Sequence, residues 1–386
     1  MFSGRSRFER DRNAPAVAIE RARAAGRRIV DLTVSNPTAA GIPYDAEAIL
    51  AALSDPRALR YEPEPFGLPA AREAVAGLMA ERGVQAPAGR IVLTASTSEA
   101  YAFLFNLLCD PGDEVLVPAP SYPLLDMLAR LESVRLVPYR LEYDGEWRVD
   151  VDSLRAAVTG RSRAVATVSP NNPTGSCLKR EELAAIASLG LPIVSDEVFA
   201  SYPLRDDARR AVSALEAGGS TLVFALGGLS KLAALPQMKL AWTAVGGPAA
   251  AVDEALARLD LIADCFLSAG TPVQHALPRL LASRATAEGA VMARIRSNLD
   301  LLRAAFGSAS PVSLLEPEAG WYAVLRLPRT RSEEEWVLDL LERHGVLVQP
   351  GWFYDFADEP YVVVSLLTPP DDLREGVERL LDLAAG

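Results

Sequence analysis

Lysine is scarce in this chain. Of 39 basic residues only Lys179, Lys231 and Lys239 are lysines, which leaves 36 arginines. Histidine is scarcer still. His275 and His344 each sit in an ordinary helix-like context, so Ser-His-Asp, Cys-His and multi-histidine metal chemistry are poor fits. The three cysteines, Cys109, Cys177 and Cys265, are odd in number and widely spaced, which suits neither a disulfide framework nor a zinc site. Positive charge is in deficit. A formal net charge of −11 argues against binding a phosphate backbone. Apolar runs such as "TLVFALGGL" are far too short to cross a bilayer. The opening "MFSGRSRFERDRNAP" alternates arginines with acids and lacks the apolar core of a signal peptide. These absences lead to the expectation of a soluble, cytoplasmic protein.

What is present reads as a globular protein: 386 residues, half of them hydrophobic and 23% charged. Single cores stop growing near roughly 250–300 residues, so one large domain and a smaller one are expected. From about residue 70 to 250, strand-like apolar runs ("RIVLTAS", "DEVLVPAP", "VRLVPYRL", "AVATVSP", "LPIVSDEVF", "TLVFALGG", "KLAWTAVGG") alternate with helical stretches. That is the pattern of an α/β sheet domain. "AREAVAGLMAERG" reads as a helix closed by Gly83, and a long helical stretch from about Pro248 to Ser268 leaves the domain. The C-terminal part ("GWYAVLRL", "EEEWVLDLLERHG", "YVVVSLL", "DDLREGVERLLDLAAG") reads as a small α+β layer, with the first 45 or so residues packed against it. The expected division is a large domain over 46–270 and a small one over 1–45 and 271–386.

The lysines point to the chemistry. Where arginine fills nearly every cationic position, a lysine inside an apolar stretch calls for a property that arginine lacks. A desolvated lysine can lose its proton and become a nucleophile. Lys231 and Lys239 lie in "FALGGLSKLAALPQMKLAWTAVGG", whereas Lys179 in "SCLKREEL" reads as a solvated helix-start residue. Three other features fall at the carboxyl ends of strands, where open α/β sheets bind ligands. "LTASTSEAY" turns into a helix whose first amides, at Thr97 and Ser98, could cradle an anion or serve as a plain cap. "SPNNPTG" carries Asn171 and Asn172, although those residues also suit a simple turn. "PIVSDEVF" sets Asp196 and Glu197 in a run too apolar for charge without a partner, a role that a protonated ring nitrogen would fill.

Taken together and in this order, these motifs resemble the fold-type I pyridoxal-phosphate enzymes, in particular class I/II aminotransferases. The resemblance runs from "DLTVSNPT" to "YVVVSLLTPPDDLREGVERL". It implies an aminotransferase-like large domain with a mostly parallel mixed sheet between helices, plus a smaller α+β domain. It also implies pyridoxal 5'-phosphate, an amino donor and a keto-acid acceptor. By the resemblance Lys231 is the Schiff-base lysine, Asp196 pairs with the pyridine nitrogen, Asn172 donates to the ring's phenolic oxygen and Tyr122 stacks on the ring. Thr97, Ser98, Ser230 and Lys239 would hold the phosphate. Tyr61 would reach the phosphate of a neighbouring subunit, implying a homodimer with shared sites.

Four positions depart from the family pattern. Phe199 replaces a tyrosine that donates to the cofactor, Lys239 replaces a phosphate-binding arginine, and Gly228 replaces a serine. Val363 stands where relatives carry the arginine that clamps the substrate α-carboxylate. Either another cation does that job, with Arg326 a candidate, or the substrate is not held by an α-carboxylate. Asn36, Trp321, Arg326 and Val363 are the candidate substrate positions. Tyr322, Trp352, Phe353 and Tyr354 are either core or the wall of a pocket for an apolar side chain. A lyase, decarboxylase or cyclase of specialised metabolism on the same cofactor is the second reading. A non-catalytic ligand-sensing domain is the third, disfavoured by charge and by the presence of Lys231, Asp196 and Asn172 together. Losing the tyrosine hydroxyl and an arginine removes two groups that favour the unprotonated Schiff base, so its pKa should exceed that of relatives. A pH titration of the cofactor absorbance would contradict this by showing the neutral form well below pH 7.

Overall fold

The structure is a computed structural model that describes residues 2–8, 13–358 and 360–385. The chain starts with α1 (Ala14–Ala24), β1 (Val30–Asp31), α2 (Ala46–Leu53) and α3 (Pro69–Glu81). Next come β2 (Ile91–Thr94), α4 (Thr97–Leu108), β3 (Glu114–Ala119), α5 (Leu124–Leu131), β4 (Arg135–Tyr143), β5 (Trp147–Val149) and α6 (Val151–Ala157). The middle holds β6 (Ser162–Val168), α7 (Arg180–Ala187), β7 (Ile193–Asp196), β8 (Val223–Gly228), the single turn α8 (Leu229–Leu232) and β9 (Ala241–Gly246). Three helices follow, α9 (Ala249–Asp264), α10 (Thr271–Ala282) and α11 (Ala285–Ala305). The C-terminal part has β10 (Ser313–Leu315), β11 (Tyr322–Arg326), α12 (Glu333–Glu342), β12 (Val346–Leu347), β13 (Gln349–Pro350), β14 (Tyr361–Ser365) and α13 (Pro370–Ala385).

Among the described residues, eight strands make the main sheet in the order β2-β9-β8-β7-β6-β3-β4-β5. The pairs β4–β3, β3–β6, β6–β7 and β7–β8 are parallel, and only β9 and the edge strand β5 run against their neighbours. The sheet is therefore mixed and mostly parallel, as expected. Its central strands are buried on both faces, which is why they read as near-continuous apolar runs instead of alternating ones. Helices cover both sides: α4 and α9 share a core with Val194, Phe224 and Val245, while Leu183 and Ile186 of α7 pack under Val165 and Val223. Helix α3 begins with Pro69 at its first turn, where a missing N–H costs nothing, and Gly83 (φ +77°) stops the chain just beyond it.

The C-terminal layer is a four-stranded antiparallel sheet, β10-β11-β14-β13, backed by α11, α12 and α13. β1 pairs with β12, and Val30, Leu32, Ala40 and Ile42 share its core. Helix α10 packs its Val273, Ala276, Leu277 and Leu280 with α3 and the sheet beside it. Helix α10 thus shares the core beside the β2 edge of the main sheet.

One sequence expectation fails here. Lys179 does stand at the start of a helix, α7, but it is 2% exposed and not solvated. Its Nζ donates to Glu318 Oε1 at 2.7 Å and to the Trp147 carbonyl at 2.9 Å. The Cys177 amide donates to the other Glu318 oxygen, and Arg205 approaches the carboxylate at 3.2 Å. The pair ties the loop after β6 to the segment entering β11. Breaking a buried ion pair from one side strands the other charge, at about 3–5 kcal/mol. Glu318→Ala should therefore cost about 3 kcal/mol in urea unfolding, and the double change Lys179→Met with Glu318→Leu should cost clearly less.

Candidate active site

Because β2, β3, β6, β7 and β8 all point the same way, their carboxyl ends meet along one edge of the sheet. A cavity of about 400 Å³ opens there. β2 delivers Ser96, Thr97 and Ser98, β3 delivers Ser121 and Tyr122, and β6 delivers Asn172. Asp196 is the last residue of β7, Lys231 lies on the turn after β8, and Lys239 stands two residues before the antiparallel β9. Residues spread over 143 positions of sequence thus converge by topology alone.

The two central charges are held in apolar surroundings. Burial raises the Asp196 carboxyl to about 6, against partial relief from the Val198 amide, with Glu197 adding to the rise and Lys231 opposing it. Burial likewise lowers the Lys231 amine below the usual lysine range, and Asp196 pulls it back up. Lys231 Nζ lies 5.1 Å from the centre of the Trp321 ring and 5.5 Å from that of Phe199. The Phe199 ring thus supplies a face to the amine where a tyrosine would have supplied a hydroxyl. The Lys231 backbone is fixed from below, its carbonyl accepting from Tyr202 Oη at 2.6 Å. The neighbouring acid, Glu197, turns the other way and caps a short 3-10 turn through Ser213 Oγ and the Ala214 amide.

At the other end of the cavity, α4 presents its N-terminus. Ser96 performs the capping, accepting from the Glu99 amide at 3.2 Å, so Thr97 and Ser98 are free to face the cavity. The first amides of a helix have no acceptor within it and carry its positive end. Ser230 and Lys239 line the same end. Lys239 is held in a left-handed conformation (φ 51°, ψ 54°). At Gly228 a Cβ would come within 3.1 Å of the Ala241 Cβ and 3.2 Å of the Leu240 carbonyl.

Other expected residues are not brought to the cavity. Asn36 is exposed and uses its Oδ1 to fasten Thr38; its neighbour Ser35 lines the cavity instead. Arg326 is exposed at the far end of β11, about 13 Å along the strand from Tyr322 at ~3.3 Å per residue. Val363 is 1% exposed, paired across the sheet with Val324 and Gln349. Trp321 is fully buried beneath Lys231 and does not line the cavity. Trp352 and Phe353 are partly exposed outside it, and Tyr354 is buried against Tyr122 and hydrogen-bonded to Gln349. Tyr61, 79% exposed, lines a separate surface crevice with Ala263, Leu267 and Ser268. Tyr101 and Tyr322 do line the cavity. Tyr322 was visible in sequence only as one aromatic among several, and nothing in the sequence marked Tyr101.

Comparison with known proteins fits this geometry. The family "Aminotransferase class I and II" matches residues 27–380. The chain belongs to that family. It is 25% identical to the glutamate-pyruvate aminotransferase AlaA of Haemophilus influenzae over 92% of this chain and 90% of that one. It is 28% identical to an alanine aminotransferase of Mycobacterium tuberculosis, over 93% of this chain and 86% of that one. In fold it matches an alanine aminotransferase from Pyrococcus furiosus with a TM-score of 0.90, at 24% identity and full coverage of both chains. A Thermus thermophilus aspartate aminotransferase variant gives 0.84 at 26% identity over 99% of each chain. The chain is accordingly a pyridoxal-phosphate-dependent transferase.

The residues present suit that cofactor. Asp196 is a half-buried carboxylate in want of a cation, and Asn172 lines the same cavity with an amide that can donate. The helix end with Thr97, Ser98, Ser230 and Lys239 suits a phosphate. A buried acid whose folded pKa lies above its ordinary 3.8 prefers to fold protonated. Between pH 3.8 and about 6, the Asp196 contribution to the stability of the cofactor-free protein should therefore fall as pH rises. The difference between denaturation curves of the parent protein and Asp196→Asn, measured across that range, should show this component.

Proposed function

We propose that this aminotransferase carries amino groups between an amino donor, an amino acid or amine, and a keto-acid acceptor by ping-pong exchange, with atypical recognition of the substrate carboxylate. The observation that carries this reading is the cavity that brings Lys231, Asp196 and Asn172 together with the N-terminus of α4. Lys231 would anchor the cofactor covalently, as a Schiff base, through an amine that burial keeps easy to deprotonate. The same amine, when free, would move a proton at the substrate α-carbon. Asp196 would hold a proton on the ring nitrogen, and Asn172 would donate to the ring's phenolic oxygen. Tyr122 would cover the ring, and Thr97, Ser98, Ser230 and Lys239 would hold the phosphate. When bound, pyridoxal phosphate supplies an electron sink for the pair left at the α-carbon.

The same reading makes the enzyme a cytoplasmic homodimer, with Tyr61 reaching the partner's phosphate. Exposure of Leu59, Tyr61, Leu261 and Phe266 supports this, since a dimer would cover them. Among the described residues no helix is long and apolar enough to cross a membrane. A lyase or decarboxylase is the second reading, favoured by one observation: the clamp position is Val363, buried in the C-terminal sheet.

A single-turnover absorbance assay separates the two. Mixing the holoenzyme with pools of amino acids and amines should convert the cofactor to its amine form. Product release without that conversion would move the assignment to lyase or decarboxylase chemistry. Lys231→Ala should lower the conversion rate by roughly 100-fold or more, since it removes both the anchor and the proton carrier. Lys231→Arg should not restore it, because a guanidinium neither forms the linkage nor gives up its proton.

A further inference from the structure

The charged groups lining the cavity among the described residues are Asp196, Lys231 and Lys239. On the reading above, all three are committed to the cofactor, and no arginine lines the remainder. The face of the C-terminal sheet that carries Val363 is set by its register. Val363 lies opposite Val324, and Ser365 opposite Tyr322, so Tyr322, Val324, Val363 and Ser365 share one face. Of these, Tyr322 reaches the cavity, where Ser35 and Asn172 line the wall with it. Tyr322 is 8% exposed. Burial pushes its hydroxyl up to about 12, while hydrogen bonding from Ser35 and Asn172 works against the rise. It therefore stays a neutral phenol at any physiological pH and can donate or accept. Leu124, Leu125 and Leu128 of α5 form an apolar wall to the same cavity.

We propose that Tyr322 and Ser35, with Asn172 beside them, form a neutral hydrogen-bonding subsite in place of a carboxylate clamp. Its substrate then bears an uncharged polar group, an alcohol or amide, on the carbon that carries the reacting amine. This inference rests on the transamination reading. A carboxylate placed there gives up its water without gaining a cation, whereas an alcohol or amide exchanges one set of neutral hydrogen bonds for another. A keto acid still enters, held by hydrogen bonds alone and correspondingly less tightly. Sites built to hydrogen-bond a neutral substrate group discriminate strongly, because their own buried polar groups are left unpaired by the wrong ligand.

Two measurements on the holoenzyme test this. The first compares single-turnover conversion by L-phenylalanine, L-phenylalaninol and L-phenylalaninamide, and by the matching alanine series in case the side chain is small. The second titrates 3-phenylpropanamide against 3-phenylpropanoate calorimetrically; neither has an amine, so binding is read without chemistry. The neutral members should react and bind at least about tenfold better than the carboxylates, the size of a single well-made hydrogen bond. Tyr322→Phe should cut that preference severalfold, with Ser35→Ala as the second variant should the first fold poorly. Equal or better performance by the carboxylates overturns the proposal, as does a preference unchanged in both variants. If amino acids convert the cofactor while no neutral compound reacts or binds, the subsite fails and transamination stands. If no amine converts it but the amide binds tightly and Tyr322→Phe weakens that binding, the subsite stands and transamination fails. If nothing converts the cofactor and nothing binds, both fail.

Discussion

A carboxylate and an amine share an apolar pocket at the carboxyl edge of the main sheet, and the rest of the site is arranged around them. Asp196 ends β7 and Lys231 follows β8, the next strand in the sheet. Burial drives both toward their neutral forms, and neither fully rescues the other. The wall that desolvates the amine is aromatic, Phe199 and Trp321 meeting edge to face at 5.4 Å. Such a pair suits a ligand that offers a cation to one and an electrophile to the other. A pyridinium carrying an aldehyde offers both, so the electrostatics of the pocket and the chemistry of the family's cofactor are two views of one constraint.

That constraint explains why lysine survives in a chain that otherwise uses arginine. Lys231 must lose its proton, which a guanidinium does not do. Lys239 sits in a left-handed turn against the cavity, a compact point charge where a bidentate fork is not required. Lys179 is the exception to the chemical argument, because its reason is packing. A slender ammonium fits between Glu318 and the Trp147 carbonyl, in a site 2% exposed. Its partner lies 139 residues away, a contact that no local pattern could announce.

The same division governs what the sequence made legible. The central strands of the main sheet are buried on both faces, so each stands out as an apolar run, and the motifs that end them fall on one edge. Lys231, Asp196, Asn172, Thr97, Ser98, Tyr122, Ser230 and Lys239 all line the cavity as a result. What stayed hidden depends on parity and register. Asn36 and Ser35 differ by one position, and only the fold decides which of them turns inward. Tyr322 and Trp321 are a second such pair: one reaches the cavity wall and the other goes under the lysine.

Parity also decides where substrate selection resides. In the C-terminal sheet, Val363 is hemmed between Val324 and Gln349, with Tyr354 bonded to the latter. An arginine at that point would bring a charge among the valines of this layer, which the buried Val363 does not. The guanidinium nearest in strand order, Arg326, shares the face yet lies about two residue pairs beyond Val363, out in solvent. What the layer does supply to the cavity is a neutral phenol. A pocket whose charged groups the proposed cofactor would engage, and whose remaining wall offers hydroxyl, amide and leucine, would select its ligand by hydrogen bonding and shape.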